Sequence, residues 1–580
     1  MEDSKLTIYC ENDSRMREVA YGTSLGEIAA AWYPSLTDPG SGRENRVLSA
    51  LVDNKVRGLD YKVYDNHNIR FLSYLDTEGR RTYIRSLSLV LQEAVSRLHK
   101  DRILRIEHSL PSGLYGELVE YADGKRKPCF LMDDEVEAIY RAMKETVAAD
   151  LPLVRRCIST AEAVAIYNSR NQTEKARLAE SLGQFWEEVY ELNGYVDNFH
   201  GPLVPSTGCL DVFGLSPFNR GFCLQLPQMS DASALTPMKR QSKIASALEH
   251  NTAWGEIVGI KGLGSVNKTI AEGNAVKLIN LEEARHEREY AAIADMVYSR
   301  RGQVKFIFIA GPSSSGKTSS SLRIAQQCKI LGMNPKVIEL DNYFVNREDT
   351  PRDENGEYDY EALQAMDLDH LNSQLNALIE GREVETPIFD FKLGRRAAQG
   401  RKLRLEENDI LIMEGIHALN PEMTCAVDSS RIFRVYVSAL TSLNVDENNN
   451  ISSSDNRLLR RMVRDNRTRG VDPEGTILRW PSVRRGENRN IFPFQENCDV
   501  IFNSATIFEL PMLKYYAEPL LRRIAPNSPA YPEAQRMLTF LGYISALQPS
   551  EIASVPPASI MREFIGGQTL CEGKEIKTTV

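Results

Sequence analysis

An apolar run, Phe306-Ile-Phe-Ile-Ala310, leads directly into Gly311-Pro-Ser-Ser-Ser-Gly316-Lys317-Thr318, and a helical pattern follows. Strand, glycine-bounded loop and helix in this order match the spacing G-x-x-x-x-G-K-[ST] in its proper context. The glycines let the backbone curl so that its N–H groups and the N-terminus of the next helix face a polyphosphate. The expected nucleotide contacts are Gly311, Pro312, Ser313, Ser314, Ser315, Gly316, Lys317, Thr318 and Ser319. Lys317 can reach the terminal phosphates, and the Thr318 hydroxyl can ligate Mg²⁺. A glycine-rich turn before an ordinary helix is the plain alternative, but it would not require strand, loop and helix to agree.

Around this loop, strand-like runs recur at Val304–Ala310, Lys336–Leu340, Asp409–Met413 and Ile432–Val437, separated by helical stretches. Such alternation argues for a parallel sheet with right-handed crossovers. At 580 residues the chain is too long for one core. Residues 1–75 read as a small unit of strands around one helix, Ser24–Trp32, with an Asp-Asn turn at 53–54. Residues 76–285 begin with the helical spacing of Arg81–Val95, followed by a strand at Ile103–His108 and a polar helical stretch near Thr173–Asn193. The loop-bearing unit spans 286–510, and 511–580 form a mainly helical extension with patterns at Phe508–Leu521 and Pro532–Leu547. The expected class is thus α/β and multidomain.

Composition narrows the partners. Hydrophobic residues make up 42% and charged residues 26%, as in a soluble globular protein. A net charge of −9 argues against a large nucleic-acid surface. No apolar run approaches a membrane span, and the N-terminus, Met-Glu-Asp-Ser-Lys, lacks a signal region, so a cytoplasmic location is expected. The nine cysteines contain no C-x-x-C pair, which gives no sign of a disulfide framework or zinc knuckle. His200 and Cys209 lie close in sequence without a third ligand at usable spacing. His286-Glu-Arg-Glu-Tyr290 has tyrosine where a zinc-protease helix needs its second histidine. Nothing specifies an oligomeric state.

A phosphate loop alone does not separate kinase from GTPase or motor, and no base-reading N-K-x-D is present. Two carboxylates distinguish the chemistry. Asp341, in Asp341-Asn-Tyr-Phe344, and Glu414, in Glu414-Gly-Ile-His417, each end an apolar strand, at the edge where open α/β sheets bind ligands. Asp341 can accept a proton from an attacking hydroxyl or hold a Mg²⁺-bound water, and Glu414 can help position the metal. Arg460, Arg464 and Arg467 fall on one face of a helical stretch that ends Arg469-Gly470. A guanidinium fork suits the spread charge of a transferring phosphoryl group.

The phosphate loop, D-N-Y-F, Glu357-Tyr-Asp-Tyr360, Pro387-Ile-Phe-Asp-Phe391, Glu414-Gly-Ile and Arg464-Asp-x-x-x-Arg-Gly470 occur in the order seen in the uridine kinase/phosphoribulokinase family, which this region resembles. The resemblance implies an ATP- and Mg²⁺-dependent nucleoside kinase, uridine- or cytidine-like. In it Asp341 would be the catalytic base, Lys317, Arg464 and Arg469 phosphate-handling residues, and Asp359, Phe389 and Arg395 acceptor-side residues. Thr318, Glu414 and Asp341 would serve the metal. The acceptor segment departs from the family, with Phe389 replacing a tyrosine and Gly394 a histidine, and a base-reading glutamine is replaced near Trp480. Lost hydrogen-bonding groups of this kind change specificity strongly.

The N-terminal unit resembles a TGS domain through Tyr21–Ala29 and Ala50–Lys55, and the next unit resembles the second additional domain of threonyl-tRNA synthetase. That family opens its first helix with H-x-x-x-H; here Arg85 and Leu89 stand at those positions, so editing hydrolysis is not expected. The resemblance also implies a second reading, an ATP-binding regulatory protein that contacts tRNA or the ribosome.

Overall fold

The computed structural model describes residues 5–38, 42–122, 125–239, 241–352, 356, 358–390, 393–441 and 443–570. Glu357 and Phe391 of the motifs above lie outside the described residues, as do 571–580.

The N-terminal unit is a five-stranded sheet in the order Arg15–Ala20, Lys5–Cys10, His67–Leu72, Ser49–Val52, Lys55–Arg57. Its helix, Leu25–Trp32, starts in a capping box: the Ser24 hydroxyl accepts from the Glu27 N–H, and Glu27 accepts from the Ser24 N–H in return. That helix drops Leu25 and Ile28 onto Ile8, Cys10, Ile69 and Phe71. Asp53 and Asn54 both have positive φ, 48° and 61°, and close the tight hairpin between its last two sheet neighbours.

In the middle region the helix Thr77–Leu98 buries Leu87, Val90, Leu91 and Ala94 against Leu118, Ile139, Met143 and Phe222. The helical reading of Thr173–Asn193 holds only to Ser181; Trp186–Leu192 is a strand between Val154–Ser159 and Tyr195–Asp197. Its Trp, Val and Tyr side chains suit a pleated, half-buried surface better than a helix. Arg85 donates to the Pro202 carbonyl from Nε and Nη2, at 3.2 and 3.1 Å, and Leu89 is fully buried. His286 is packed against Phe502. Among the described residues no group of three or more His, Cys, Asp or Glu is placed to hold a metal, and no helix is long and apolar enough to cross a membrane.

The loop-bearing unit is a five-stranded, wholly parallel sheet ordered Asn334–Glu339, Asp409–Glu414, Phe306–Ala310, Ile432–Ser438, Val500–Asn503. Its strands are continuous apolar runs because both faces are covered. On one face Ile307, Ile309, Ile412 and Val435 share a core with Leu263, Tyr290, Ile324, Leu459, Met512, Leu541 and Ile560. Residues from both flanking regions therefore build the core of the sheet. The other face packs Phe306, Phe308, Leu411 and Met413 against Leu340, Leu371 and Leu375.

Candidate active site

The strand Phe306–Ala310 ends at Gly311, where a Cβ would collide with the Val437 carbonyl oxygen of the neighbouring strand. Only glycine allows that approach. Ser314 (φ 59°) and Gly316 (φ 84°) then turn the chain through the left-handed region into the helix Lys317–Ile330. The buried hydroxyls of Ser314 and Ser315 have no protein partner among the described residues. This cradle fits a polyphosphate: a strained, glycine-permitted curve at a helix N-terminus, with donors left over.

Strand register brings the acidic side together. Glu414 pairs across the sheet with Ile309 on one side and Glu339 on the other, so the carboxylate emerges beside the loop. The Thr318 hydroxyl donates to Glu414 Oε1 at 2.7 Å. Burial raises the Glu414 carboxyl to about 7, against the opposing pull of Lys317 and Thr318. Asp341 lies in the 3₁₀ turn Leu340–Tyr343 that ends the edge strand. Burial raises its pKa as well; Lys317 and Arg469 oppose the shift and Glu339 adds to it. Lys317, Thr318, Asp341 and Glu414 thus form one electrostatic group, the donor set expected for Mg²⁺ and phosphate.

The arginine helix, Ser453–Arg469, divides its work differently from the expected single face. Arg460 is buried in an ion pair with Glu509. Arg464 pairs with Asp465 at 2.8 Å, and the exposed Arg469 approaches the same carboxylate at 3.6 Å. Arg467 donates to the Phe564 and Glu563 carbonyls. Arg457 and Arg461 are the ones that touch the phosphate loop: Arg457 donates to the Ser313 carbonyl at 3.0 Å, and Arg461 to the Ser313 hydroxyl at 2.7 Å. Glu487, held by Arg457 and Arg484, accepts the Ser313 N–H at 3.0 Å. The signal for Arg457 and Arg461 was their place in the same basic helix; which face meets the loop depends on the crossing of Ser453–Arg469 over the sheet.

Glu361 is a further member that no motif marks, although it directly follows the Tyr358-Asp-Tyr360 segment. Burial and then Glu487 raise it to about 7, while Lys317 and Arg461 pull it down. Ser319 is covered from the C-terminal extension. Its hydroxyl donates to Glu563 Oε2 at 2.5 Å and accepts from Gln568 at 2.7 Å.

On the acceptor side Asp359 receives the Glu361 N–H at 3.1 Å and Arg489 at 3.5 Å. The Phe389 N–H donates to Asn342 of the D-N-Y-F turn at 3.1 Å. Gly394 has φ 68°, and a Cβ there would lie 2.7 Å from Arg347 Nε. Arg395 is exposed opposite Asp390, whereas its neighbour Arg396 pairs with Asp367 at 2.9 Å and donates to the Tyr343 and Phe344 carbonyls. Trp480 is turned inward, its indole N–H on Ser454 at 3.2 Å.

Known proteins align with parts of this chain. A uridine kinase of Bacillus licheniformis is 31% identical over 196 residues, 34% of this chain and 83% of its own length. One from Halobacterium salinarum is 29% identical over 196 residues, 34% of this chain and 78% of its own. A threonine–tRNA ligase of Syntrophomonas wolfei subsp. wolfei is 28% identical over 199 residues, covering 34% of this chain and 29% of the ligase. The Phosphoribulokinase / Uridine kinase family model matches residues 306–510, the stretch that holds the loop, both carboxylates and the arginine helix. Through that stretch the chain belongs to the phosphoribulokinase / uridine kinase family.

Proposed function

We propose that this chain is an ATP- and Mg²⁺-dependent kinase that phosphorylates a hydroxyl, the 5′-hydroxyl of a nucleoside or its counterpart on a related sugar. The observation that carries the reading is the Thr318–Glu414 hydrogen bond beside Lys317 and Asp341. A phosphate loop used only for binding has no need of two carboxylates at adjacent strand ends, Glu414 buried and Asp341 half-buried.

ATP, when bound, supplies the phosphoryl group, and Mg²⁺ neutralises its charge. Thr318 and Glu414 would hold the metal, and the loop amides with Lys317 the phosphates. Asp341 orients the acceptor hydroxyl and takes its proton. Burial raises its pKa and so makes it a better base than a solvated carboxylate, against the opposing pull of Lys317. Arg464 and Arg469 would meet the transferring group, and Arg461 steadies the loop through Ser313. Asp359 is the candidate contact for acceptor hydroxyls, with Phe389 and Arg395 flanking it.

The family's uridine kinases support a nucleoside acceptor, and the changes at Phe389 and Gly394 favour one different from uridine. The threonine–tRNA ligase relative supports reading the N-terminal regions as TGS-like and synthetase-like modules. With Arg85 on the Pro202 carbonyl and Leu89 in the core, we read the latter as lacking editing chemistry. Purified protein with ATP and Mg²⁺, offered nucleosides, ribose derivatives and ribulose 5-phosphate, tests the proposal. Phosphorylated product with one class supports it; ATP binding without transfer to any of them overturns it.

A further inference from the structure

A polar cavity of about 40 Å³ lies between the middle region and the parallel-sheet unit. Its lining includes Arg105 and Arg126 from the antiparallel sheet, Asn251 and Arg285 from the helices Ser242–Val258 and Ala275–Ser299, and Thr506 from the loop after Val500–Asn503. Arg105 Nη1, Arg126 Nε, Arg285 Nε, Asn251 Nδ2 and Thr506 Oγ1 are all buried and have no protein partner among the described residues. Arg105, Asn251 and Thr506 are only 4%, 7% and 5% exposed.

Every one of those nitrogens can only donate. The neighbouring acids bond to other atoms and leave these donor atoms unpaired. Glu107 takes Arg105 at 2.7 Å and Arg126 at 2.8 Å. Glu282 takes the Trp254 indole, Arg285 and the Ile507 N–H. Asn251 Oδ1 already accepts Arg285 at 2.6 Å, which fixes its amide with Nδ2 as the spare group. Unpaired buried donors are costly to keep. Donors gathered from separate elements onto one small cavity call for a shared acceptor.

We infer that this cavity is a binding site for a small oxyanion, inorganic phosphate or the phosphoryl head of a small ester. Arg105, Arg126, Asn251, Arg285 and Thr506 are its donors. The volume equals that of about three waters at ~10–15 Å³ each, which excludes a nucleotide. Lys261 and Glu256, half-buried and 3.8 Å apart, also line the cavity. The site is wired to the phosphate loop. Two residues before Thr506, the Ser504 hydroxyl donates to the Ser315 carbonyl at 2.6 Å, and Arg285 holds the intervening Ala505 carbonyl at 3.1 Å. An anion that orders Thr506 and Arg285 therefore acts on the segment that supports the loop.

The test separates this site from the loop itself. Calorimetric titration with inorganic phosphate, and separately with glycerol 3-phosphate, is made on full-length Lys317→Ala, and on that variant carrying Asn251→Asp or Thr506→Val. Phosphate is expected to bind Lys317→Ala at one site. Asn251→Asp, which puts a competing carboxylate among the donors, should weaken binding about tenfold or more, and Thr506→Val by a smaller factor. Equal binding of the ester assigns the phosphoryl head as sufficient, and its exclusion assigns inorganic phosphate. Thermal unfolding without phosphate shows whether Asn251→Asp folds, and if it does not, Thr506→Val alone decides. Loss of all phosphate binding in Lys317→Ala, or binding indifferent to the cavity substitutions that fold, overturns the inference.

Discussion

Thr318 Oγ1 donates to Glu414 Oε1 across 2.7 Å, joining the helix that follows the phosphate loop to the C-terminal end of a neighbouring strand. Residues almost a hundred positions apart thereby present a hydroxyl and a carboxylate oxygen to one point. Under the proposed kinase reading these two oxygens are the ones that would hold Mg²⁺. Replacing Glu414 by Gln is expected to raise the Mg²⁺ concentration needed for half-maximal activity about 10–100-fold, the scale of lost metal-positioning groups. A magnesium titration of the variant checks this, and an unchanged midpoint removes Glu414 from the metal.

Protonation of the same carboxylate should shape the pH response. Burial lifts Glu414 from an ordinary 4.5 to about 7, so the folded protein binds this proton more tightly than the unfolded chain. Its contribution to stability is therefore present below the unfolded pKa and is lost as pH rises through about 7. Metal affinity runs the other way, since only the ionised form attracts the cation. Mg²⁺ affinity should climb between about pH 6 and about pH 8, and Glu414→Gln should flatten both trends. Glu361, also raised to about 7, adds to the stability trend alone.

Asp341→Asn keeps the shape of the turn while removing the base. Nucleotide binding is expected to stay within about twofold of wild type, while kcat falls by about 10²–10⁴. Fluorescent-nucleotide binding and single-turnover transfer separate the two effects. Full activity in the variant would falsify the role given to Asp341.

Glu563 places a carboxylate on Ser319, within the first turn of the helix whose N-terminus is proposed to receive the phosphates. A negative charge there competes with a bound polyanion for the same positive helix end. Glu563→Gln should lower the KM for ATP by about two- to fivefold, the effect of ~0.3–1 kcal/mol. A higher KM would show that the contact serves to hold the loop instead.

Glu487 anchors the phosphate loop through the Ser313 N–H while neutralising Arg457 and Arg484. Its carboxylate is almost fully buried, so Glu487→Ala strands two guanidinium groups and should cost about 3–5 kcal/mol of stability. Urea unfolding monitored by far-UV circular dichroism reads the loss; a drop under about 1 kcal/mol would mean water reaches the site freely.

Local chemistry carried much of this protein in plain view. Gly311 and Gly316 answer to backbone sterics, and apolar runs such as Asp409–Glu414 answer to burial on both sheet faces; both rules act over a few residues and can be read from a linear string. The positions of Asp341 and Glu414 at strand ends followed from the same patterns. Three-dimensional crossing settled the rest. Arg457 and Arg461 meet Ser313, while Arg460 turns to Glu509, because the rotation of one helix over the sheet assigns each arginine its partner. Glu563 reaches Ser319, and Arg105, Arg126, Asn251, Arg285 and Thr506 gather at one cavity, only after distant segments have packed together. Hydrogen bonds and charge pairing act within a few ångströms in space, whatever the separation along the chain, and spacing alone cannot encode which remote groups will meet.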